Sequence, residues 1–215
     1  MLMRDAPLGD RAFSLPIAPS AFRYKKGQEI YGEGEPARYF YQVRHGAVRR
    51  YKHLFDGRRQ IGAFHLASDI FGWENGNAHR LSAEAIVETE VVLIPWASLE
   101  ALAGANALVY RKLLEMTTSN LQHAENHMLL LGRKSATEKI AAFLLEMDER
   151  LTNAGIMALP MGRRDIADYL GMAHETVTRT LSILRDKGVL DFIGNTQREI
   201  VIRDRQRLAS FDRSN

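Results

Sequence analysis

Short apolar runs alternate with glycines over residues 22–93. An aromatic run at 38–43 ends at the His45-Gly46 pair, and residues 47–53 are expected to form the next strand. The Asp56-Gly57 pair predicts a hairpin turn before a third run at 59–64, and a Val- and Ile-rich run covers 85–94. Short runs bounded by turn residues predict β-strands, and many of them in series predict a sandwich or barrel.

Residues 1–20 contain three prolines and no sustained period, which predicts a flexible N-terminal arm. This segment has no apolar stretch typical of a secretory signal. The most apolar long window, 91–110, contains Pro95 and Glu100, so it predicts a strand running into a helix instead of a membrane span. We therefore expect no membrane partner and a cytoplasmic location.

A seven-residue apolar repeat predicts a long helix over about 105–131. Such a repeat favours a coiled-coil seam, and hence a parallel homodimer, while packing against the chain's own β-domain is the alternative. Gly132 is expected to break this helix. The repeat consists of Ala107, Leu114, Leu121 and Met128 at one position and Tyr110, Thr117, Ala124 and Leu131 three residues later, Thr117 being the polar exception.

Ser135 followed by Glu138 is a capping box, which predicts the start of another helix that extends to about residue 151. After it, residues 163–187 show two apolar stripes at helical spacing with Gly171 between them, where a turn needs positive φ. Small Ala167 permits a close helix crossing. This spacing predicts a helix-turn-helix, with an ordinary helical hairpin as the alternative. The stripes are Ile166, Ala167 and Leu170, then Val177, Leu181 and Leu184.

Two short apolar runs, at 191–193 and 198–202, flank a Gly194-Asn195 turn and predict a β-hairpin after the second helix. A helix-turn-helix with such a hairpin is a winged helix. The predicted fold class is α+β: an arm at 1–20, a β-domain at 21–104, a dimerisation helix at 105–132 and a winged helix-turn-helix at 133–215.

The charge of the chain permits a nucleic-acid partner, since the formal net charge is +3, the pI is about 9.2, and basic residues cluster in the C-terminal third. The 215 residues include no cysteine, which excludes a disulfide, a thiolate zinc site and a cysteine-ligated iron–sulfur cluster. Because no catalytic motif is present, we expect no enzyme activity.

The segments DIADYLGMA and ETVTRTLSILRDKGVL resemble the Crp/Fnr superfamily of bacterial transcription regulators. The segments LPMGRRDIADYLG and DGRRQIGAFHLASDIFGWE resemble its FixK branch, and the resemblance covers about residues 24–202. It implies an N-terminal β-roll (a cyclic-nucleotide-binding-like jelly roll), a homodimer, double-stranded DNA and RNA polymerase as partners, and activation of low-oxygen or nitrogen-fixation genes. FixK-like chains can carry a cysteine where this chain has Gly162.

The resemblance also implies the residues that bind DNA. Glu175 and Arg179 match the positions that read a G·C pair, and Glu and Arg suit cytosine and guanine edges. Thr178 would offer a methyl and a hydroxyl to thymine, and His174 occupies a variable position. The implied site is a TTGA-N6-TCAA-like inverted repeat. Phosphate contacts, which position without specifying, are expected from Arg163, Arg164, Thr176 and Arg198.

The cAMP-binding members carry a ribose-binding Glu and a phosphate-binding Arg, where this chain has Trp73 and Leu81. Loss of the Arg removes a charge-assisted bidentate contact, so we expect no cyclic nucleotide and no other cofactor. His123 and His127 share a helix face, yet no third ligand is obvious, so we expect no metal. The alternatives are a sensor gated by haem or another small molecule, or a repressor.

Overall fold

The computed structural model describes residues 20–74, 76–133 and 135–212, and they form two compact units. The first unit comprises the described residues up to Lys52 together with Ala63–Tyr110. The second comprises His53–Gly62 and the described residues from Arg111 onward. The predicted N-terminal arm lies outside the described residues except for Ser20, which begins the first strand.

Within the described residues, the part of the chain up to Pro95 forms two antiparallel sheets, as the alternation of short apolar runs and glycines predicted. Alternate side chains of a strand face opposite ways, so each sheet buries one face. The strands are β1 (Ser20–Tyr24), β2 (Glu29–Tyr31), β3 (Tyr39–His45), β4 (Ala47–His53), β5 (Arg59–Leu66), β6 (Ile70–Phe71), β7 (Ser82–Ala85) and β8 (Thr89–Pro95).

The strand order is β1-β8-β3-β6 in one sheet and β2-β7-β4-β5 in the other. The chain passes from the first sheet to the second at Gly46, so the turn predicted there is a corner and not a hairpin. Gly46 has φ of +91°, and a Cβ atom on it would lie 2.5 Å from the carbonyl oxygen of Glu88. Glycine is therefore required at this corner. The Asp56-Gly57 turn, by contrast, joins β4 and β5 in one sheet, as predicted.

A core of buried apolar and aromatic side chains draws on strands of both sheets. The rings of Tyr41 and Phe71 stack with centroids 5.2 Å apart. Helix α1 (Trp96–Ala105) follows β8, and Trp96 packs edge-on against Phe40 at 4.2 Å. The core cluster consists of Tyr31, Tyr41, Val43, Val48, Phe71, Ala83 and Val91.

Helix α2 (Ala107–Arg133) corresponds to the seven-residue repeat. Gly132, which was expected to break this helix, is itself helical, and the helix ends one residue later at Arg133. A single glycine in a helix costs only about 1 kcal/mol relative to alanine and does not forbid helical geometry. Helix α3 (Ala136–Leu151) begins with the predicted capping box, in which the amide nitrogen of Ser135 lies 2.6 Å from Glu138 Oε2.

The C-terminal region has the predicted winged helix-turn-helix. Its sheet has the order β11-β12-β10-β9 and packs with three helices around buried Phe143, Leu184 and Leu190. A last helix was not predicted from the sequence; it buries Leu208 and carries Arg205, which pairs with Asp148 of α3. The elements are β9 (Thr152–Asn153), β10 (Ile156–Ala158), α4 (Arg163–Leu170), α5 (His174–Asp186), β11 (Leu190–Ile193), β12 (Glu199–Ile202) and α6 (Arg205–Asp212).

In the part of the chain that the structure describes, no helix combines the length and the apolar character needed to cross a membrane.

Candidate nucleic-acid interface

The turn between α4 and α5 has the geometry that the small residues predicted. Gly171 adopts left-handed backbone angles, φ 60° and ψ 46°, and its N–H donates to the carbonyl of Ala167. Ala167 and Val177 are buried where the two helices cross. Leu181 and Leu184 of α5 are buried on the same side. The remaining face of α5 is therefore turned outward.

His174, Glu175 and Arg179 lie on this outward face and are exposed. Within the described residues, none of the three side chains makes a hydrogen bond or ion pair. Glu175 and Arg179 are four residues apart and hence neighbours on the helix surface. A carboxylate and a guanidinium are thus presented side by side with their hydrogen-bonding capacity unused, which suits contact with the edges of bases in a major groove.

Thr178 is less accessible than the other three residues expected to contact bases. Its side chain is half-buried, and its hydroxyl oxygen is covered and has no hydrogen-bond partner in the described part of the chain. The prediction had placed both its methyl and its hydroxyl toward a base. In this conformation the hydroxyl is not offered outward, because Thr178 lies next to buried Val177 at the margin of the helix-packing face.

Two of the predicted phosphate contacts, Arg163 and Arg198, also connect the wing to the start of α4. Arg163 donates to Gln197 and lies over the ring of Phe192, 5.4 Å from its centroid. Burial, with a smaller effect of nearby Arg185, lowers the pKa of Arg163. Arg198 donates to the carbonyl of Pro160 at 3.4 Å. These contacts hold the hairpin beside α4, so both arginines have a structural role in addition to the predicted one.

The other two predicted phosphate contacts have different surroundings. Arg164, in the first turn of α4, is exposed, whereas Thr176 in α5 is half-buried. Anions are favoured near the N-terminus of a helix, and both residues lie within the first turns of their helices.

Arg59 of the β4–β5 hairpin makes a contact with α4 that the sequence did not predict. Its guanidinium lies 2.6 Å from Asp165 Oδ1 and 2.8 Å from Asp168 Oδ2, and all three side chains are less than a quarter exposed. Burial would lower the pKa of Arg59, but the two aspartates outweigh it and raise the pKa. More than a hundred residues separate Arg59 from its partners, so no local sequence signal could reveal the pairing.

The two histidines of α2 that were considered as metal ligands have protein partners. The ring of His127 stacks on Tyr169 with centroids 4.0 Å apart, and its Nε2 lies 2.9 Å from the Tyr169 carbonyl oxygen. Burial lowers the pKa of His127. His123 lies 3.9 Å from a carboxylate oxygen of Glu146. Among the described residues no three potential metal ligands come together. His127 thus links α2 to α4.

The predicted dimerisation residues lie along one face of α2. In the isolated chain, its large apolar members Tyr110, Leu114, Leu121 and Met128 are 55–65% exposed. Thr117 and Ala124 are exposed as well. Leu131 differs, because it is half-buried and lies beside Gly171: a Cβ atom on that glycine would be 3.4 Å from Leu131 Cδ2. An apolar stripe is therefore uncovered over most of α2 and turns inward at its C-terminal end.

The β-domain positions compared with cAMP-binding proteins are occupied by packed side chains. The ring of Trp73 lies 4.5 Å from that of Phe40, and its Nε1–H donates to the carbonyl of Ile70 at 3.4 Å. Leu81 is half-buried. Trp73 is thus held against the sheet by the chain itself.

Comparison with known proteins agrees with this architecture. Residues 21–106 match the model of the cyclic nucleotide-binding domain, and residues 138–211 match that of the Crp-like helix-turn-helix domain. The nitrogen fixation regulation protein FixK of Azorhizobium caulinodans is 41% identical over 194 residues, which cover 88% of this chain and 77% of the relative. FixK of Rhizobium meliloti is 41% identical over 167 residues, 78% of this chain and 76% of that protein.

The solved structure of FixK2 from Bradyrhizobium japonicum is also similar. It is 60% identical in sequence, with a TM-score of 0.87 over 91% of this chain and 98% of that one. The exposed face of α5, the wing and the matches to the two domain families all indicate a protein that binds DNA. The chain is a DNA-binding transcription regulator, not an enzyme, and belongs to the Crp/Fnr family, within which it is a relative of the FixK regulators of nitrogen fixation.

Proposed function

We propose that the protein is a homodimeric activator of low-oxygen or nitrogen-fixation genes that recognises a TTGA-N6-TCAA-like inverted repeat. The observation that carries this proposal is the presentation of Glu175 and Arg179 on the outward face of α5, side by side and without partners among the described residues. Arg is the usual reader of guanine and Glu accepts from cytosine, so the pair suits the single G·C pair of the half-site.

The spacing of this repeat suits a two-fold symmetric protein. Four base pairs of one half-site and six of spacer place the half-site centres about 10 base pairs apart, which is one turn of B-DNA. Two recognition helices on the same face of the duplex would then meet equivalent bases. The exposed apolar stripe of α2 supports the dimer, since large uncovered apolar surfaces usually mark interaction sites.

The identity of the relatives supports a role in the regulation of nitrogen-fixation genes. Two of them are regulation proteins of nitrogen fixation at 41% identity. We propose accordingly that the protein acts in the cytoplasm, where bacterial promoters lie, and stimulates transcription through contact with RNA polymerase. Because this sequence has no cysteine, oxygen cannot act on it through a cysteine-ligated cluster.

The test is fluorescence anisotropy with purified protein, a labelled TTGA-N6-TCAA duplex and a scrambled duplex as competitor. The salt concentration is held constant and stated, because counterion release makes affinity salt-dependent. We expect selective binding without any added ligand. Equal affinity for the two duplexes would contradict the proposed half-site. Selective binding that appears only after addition of a small molecule would contradict the proposed independence from an effector.

A further inference from the structure

A buried carboxylate lies in the segment of the β-domain between β6 and β7. The side chain of Glu74 is only 2% exposed, although glutamate is among the residues that are least often buried. It follows Trp73 and precedes the residues leading to His79 and Arg80. Burying a carboxylate requires cations and hydrogen-bond donors that compensate for the lost hydration.

Cationic and polar groups surround this carboxylate. Oε1 of Glu74 lies 3.2 Å from the guanidinium of Arg50, which is itself 13% exposed. Oε2 lies 3.2 Å from Nε of Arg80, and the backbone N–H of Arg80 donates to Oε1 at 3.4 Å. The Nδ1 atom of His79 is 3.6 Å from Oε1. One glutamate thus has two arginines and a histidine around it.

The surroundings offer more hydrogen-bonding capacity than Glu74 uses. His79 is completely buried and stacks on Tyr31 at 3.6 Å. Within the described residues, Nε2 of His79, Nε of Arg50 and the hydroxyl of Tyr31 have no hydrogen-bond partner. Buried polar atoms are ordinarily paired, so these unpaired atoms need an explanation. They belong to two residues that lie against Glu74, Arg50 and His79, and to Tyr31, which stacks on His79. Glu74 is the anion beside Arg50 and His79.

We propose that Arg50, His79 and Arg80 form a carboxylate-binding site in which Glu74 serves as the built-in ligand. Glu74 thereby joins Arg80 to Arg50 of β4, and no free anion is needed. The site takes a small free carboxylate when the side chain of residue 74 is shortened. In the natural chain it is closed to external anions.

The first experiment uses Glu74→Ala in the full chain. Alanine keeps Cβ and removes the Cγ and carboxyl atoms, which are those of acetate. The melting temperature is measured while chloride is replaced by acetate at constant ionic strength. We expect Tm to fall by about 10 °C in chloride, because a buried cation loses its partner. We expect a saturable recovery with acetate, as for a ligand that binds only the folded state.

Four controls isolate the site. Wild type and Glu74→Gln, in which no space is opened, should show no saturable response to acetate. Neutral acetamide should not restore Glu74→Ala. Glu90→Ala also removes a carboxylate from between two arginines, but Arg23 and Arg44 are exposed to solvent, so this variant should not respond either. An equal acetate response in wild type, or none in Glu74→Ala, would overturn the proposal.

A second comparison applies if Glu74→Ala does not fold. Glu74→Gln leaves Arg50 buried beside a neutral group, whereas the double variant Arg50→Met with Glu74→Gln removes the charge as well. The double variant should melt at a higher temperature than Glu74→Gln. The single variant Arg50→Met completes the comparison. If the changes in melting temperature caused by Glu74→Gln and by Arg50→Met simply add in the double variant, the two residues are not coupled, and the proposal is overturned.

A further consequence rests on the proposed function. DNA binding by Glu74→Ala should strengthen more than binding by wild type when acetate replaces chloride, because acetate raises the folded fraction of the variant alone. An equal change in both proteins would contradict this consequence. The melting measurements do not involve DNA. They therefore test the carboxylate site even if the proposed half-site is wrong.

Discussion

Replacing Arg179 by alanine should abolish sequence selectivity while leaving the fold and the dimer intact. The side chain is exposed and makes no hydrogen bond or ion pair with the described residues, so its removal breaks no internal interaction. Exposed substitutions of this kind usually change the free energy of unfolding by no more than about 0.5 kcal/mol. The effect on DNA binding should be much larger.

The size of that effect follows from the proposed contact. A bidentate contact between Arg and guanine is worth about 1–3 kcal/mol of discrimination against a wrong base. A dimer carries two such contacts, so Arg179→Ala should cost about 2–6 kcal/mol of specific binding. At about 1.4 kcal/mol for each factor of ten, this is a weakening of roughly 30-fold to 20,000-fold. Binding to a scrambled duplex should change little.

The matched control is Arg164→Ala, which removes an exposed arginine from α4. As a predicted phosphate contact, Arg164 should contribute equally to both duplexes. Its removal should weaken binding to both duplexes by the same factor. It should also make the slope of log K against log salt less steep, by about 0.9 for each phosphate that is no longer neutralised. Anisotropy titrations at several salt concentrations distinguish the two patterns. Equal weakening of both duplexes by Arg179→Ala would refute its assignment as a base reader.

Three further predictions concern assembly and stability. Leu121→Glu should weaken dimerisation at least about 100-fold in sedimentation experiments, since burying each leucine is worth about 1.5–3 kcal/mol and two face each other. Arg59→Met should lower the free energy of unfolding by about 2–3 kcal/mol in urea denaturation, because two partly buried aspartates lose their cation. Burial lowers the pKa of His127 and also that of His79, so the unfolded chain binds protons more readily than the folded one. The free energy of unfolding should therefore fall as the pH drops below about 6.5. His127→Gln should make this pH dependence weaker.

Each of these predictions has a contradicting outcome, and the first two also have a matched control. Ser119→Glu lies on α2 away from the repeat and should sediment as wild type does; a Leu121→Glu variant that does the same would remove α2 from the interface. Arg58→Met removes an exposed arginine next to Arg59 and should hardly change stability, so equal effects of the two would contradict the assigned ion pairs. An unaltered pH profile in His127→Gln would assign the dependence to other groups.

Local patterns were sufficient to predict most elements of this fold. Gly171 marked the turn of the helix-turn-helix because only a residue tolerant of positive φ fits there without strain. The Ser135 capping box marked the start of α3, and the spacing of Val177, Leu181 and Leu184 marked the buried face of α5. In each case the determining interaction lies within about ten residues, so it can be read from the chain directly.

The features that depend on distant contacts were decided by the tertiary structure alone. Gly46 was predicted as a turn, but only the sheet order shows that it is a corner between two sheets. The repeat in α2 predicted its apolar face, but only the structure shows that Leu131 is half-buried beside Gly171. The pairs of Arg59 with Asp165 and of Arg50 with Glu74 join segments far apart in sequence. Periodicity reports which face of an element is apolar, whereas the partner of a buried charge depends on which segments the fold brings within a few ångströms.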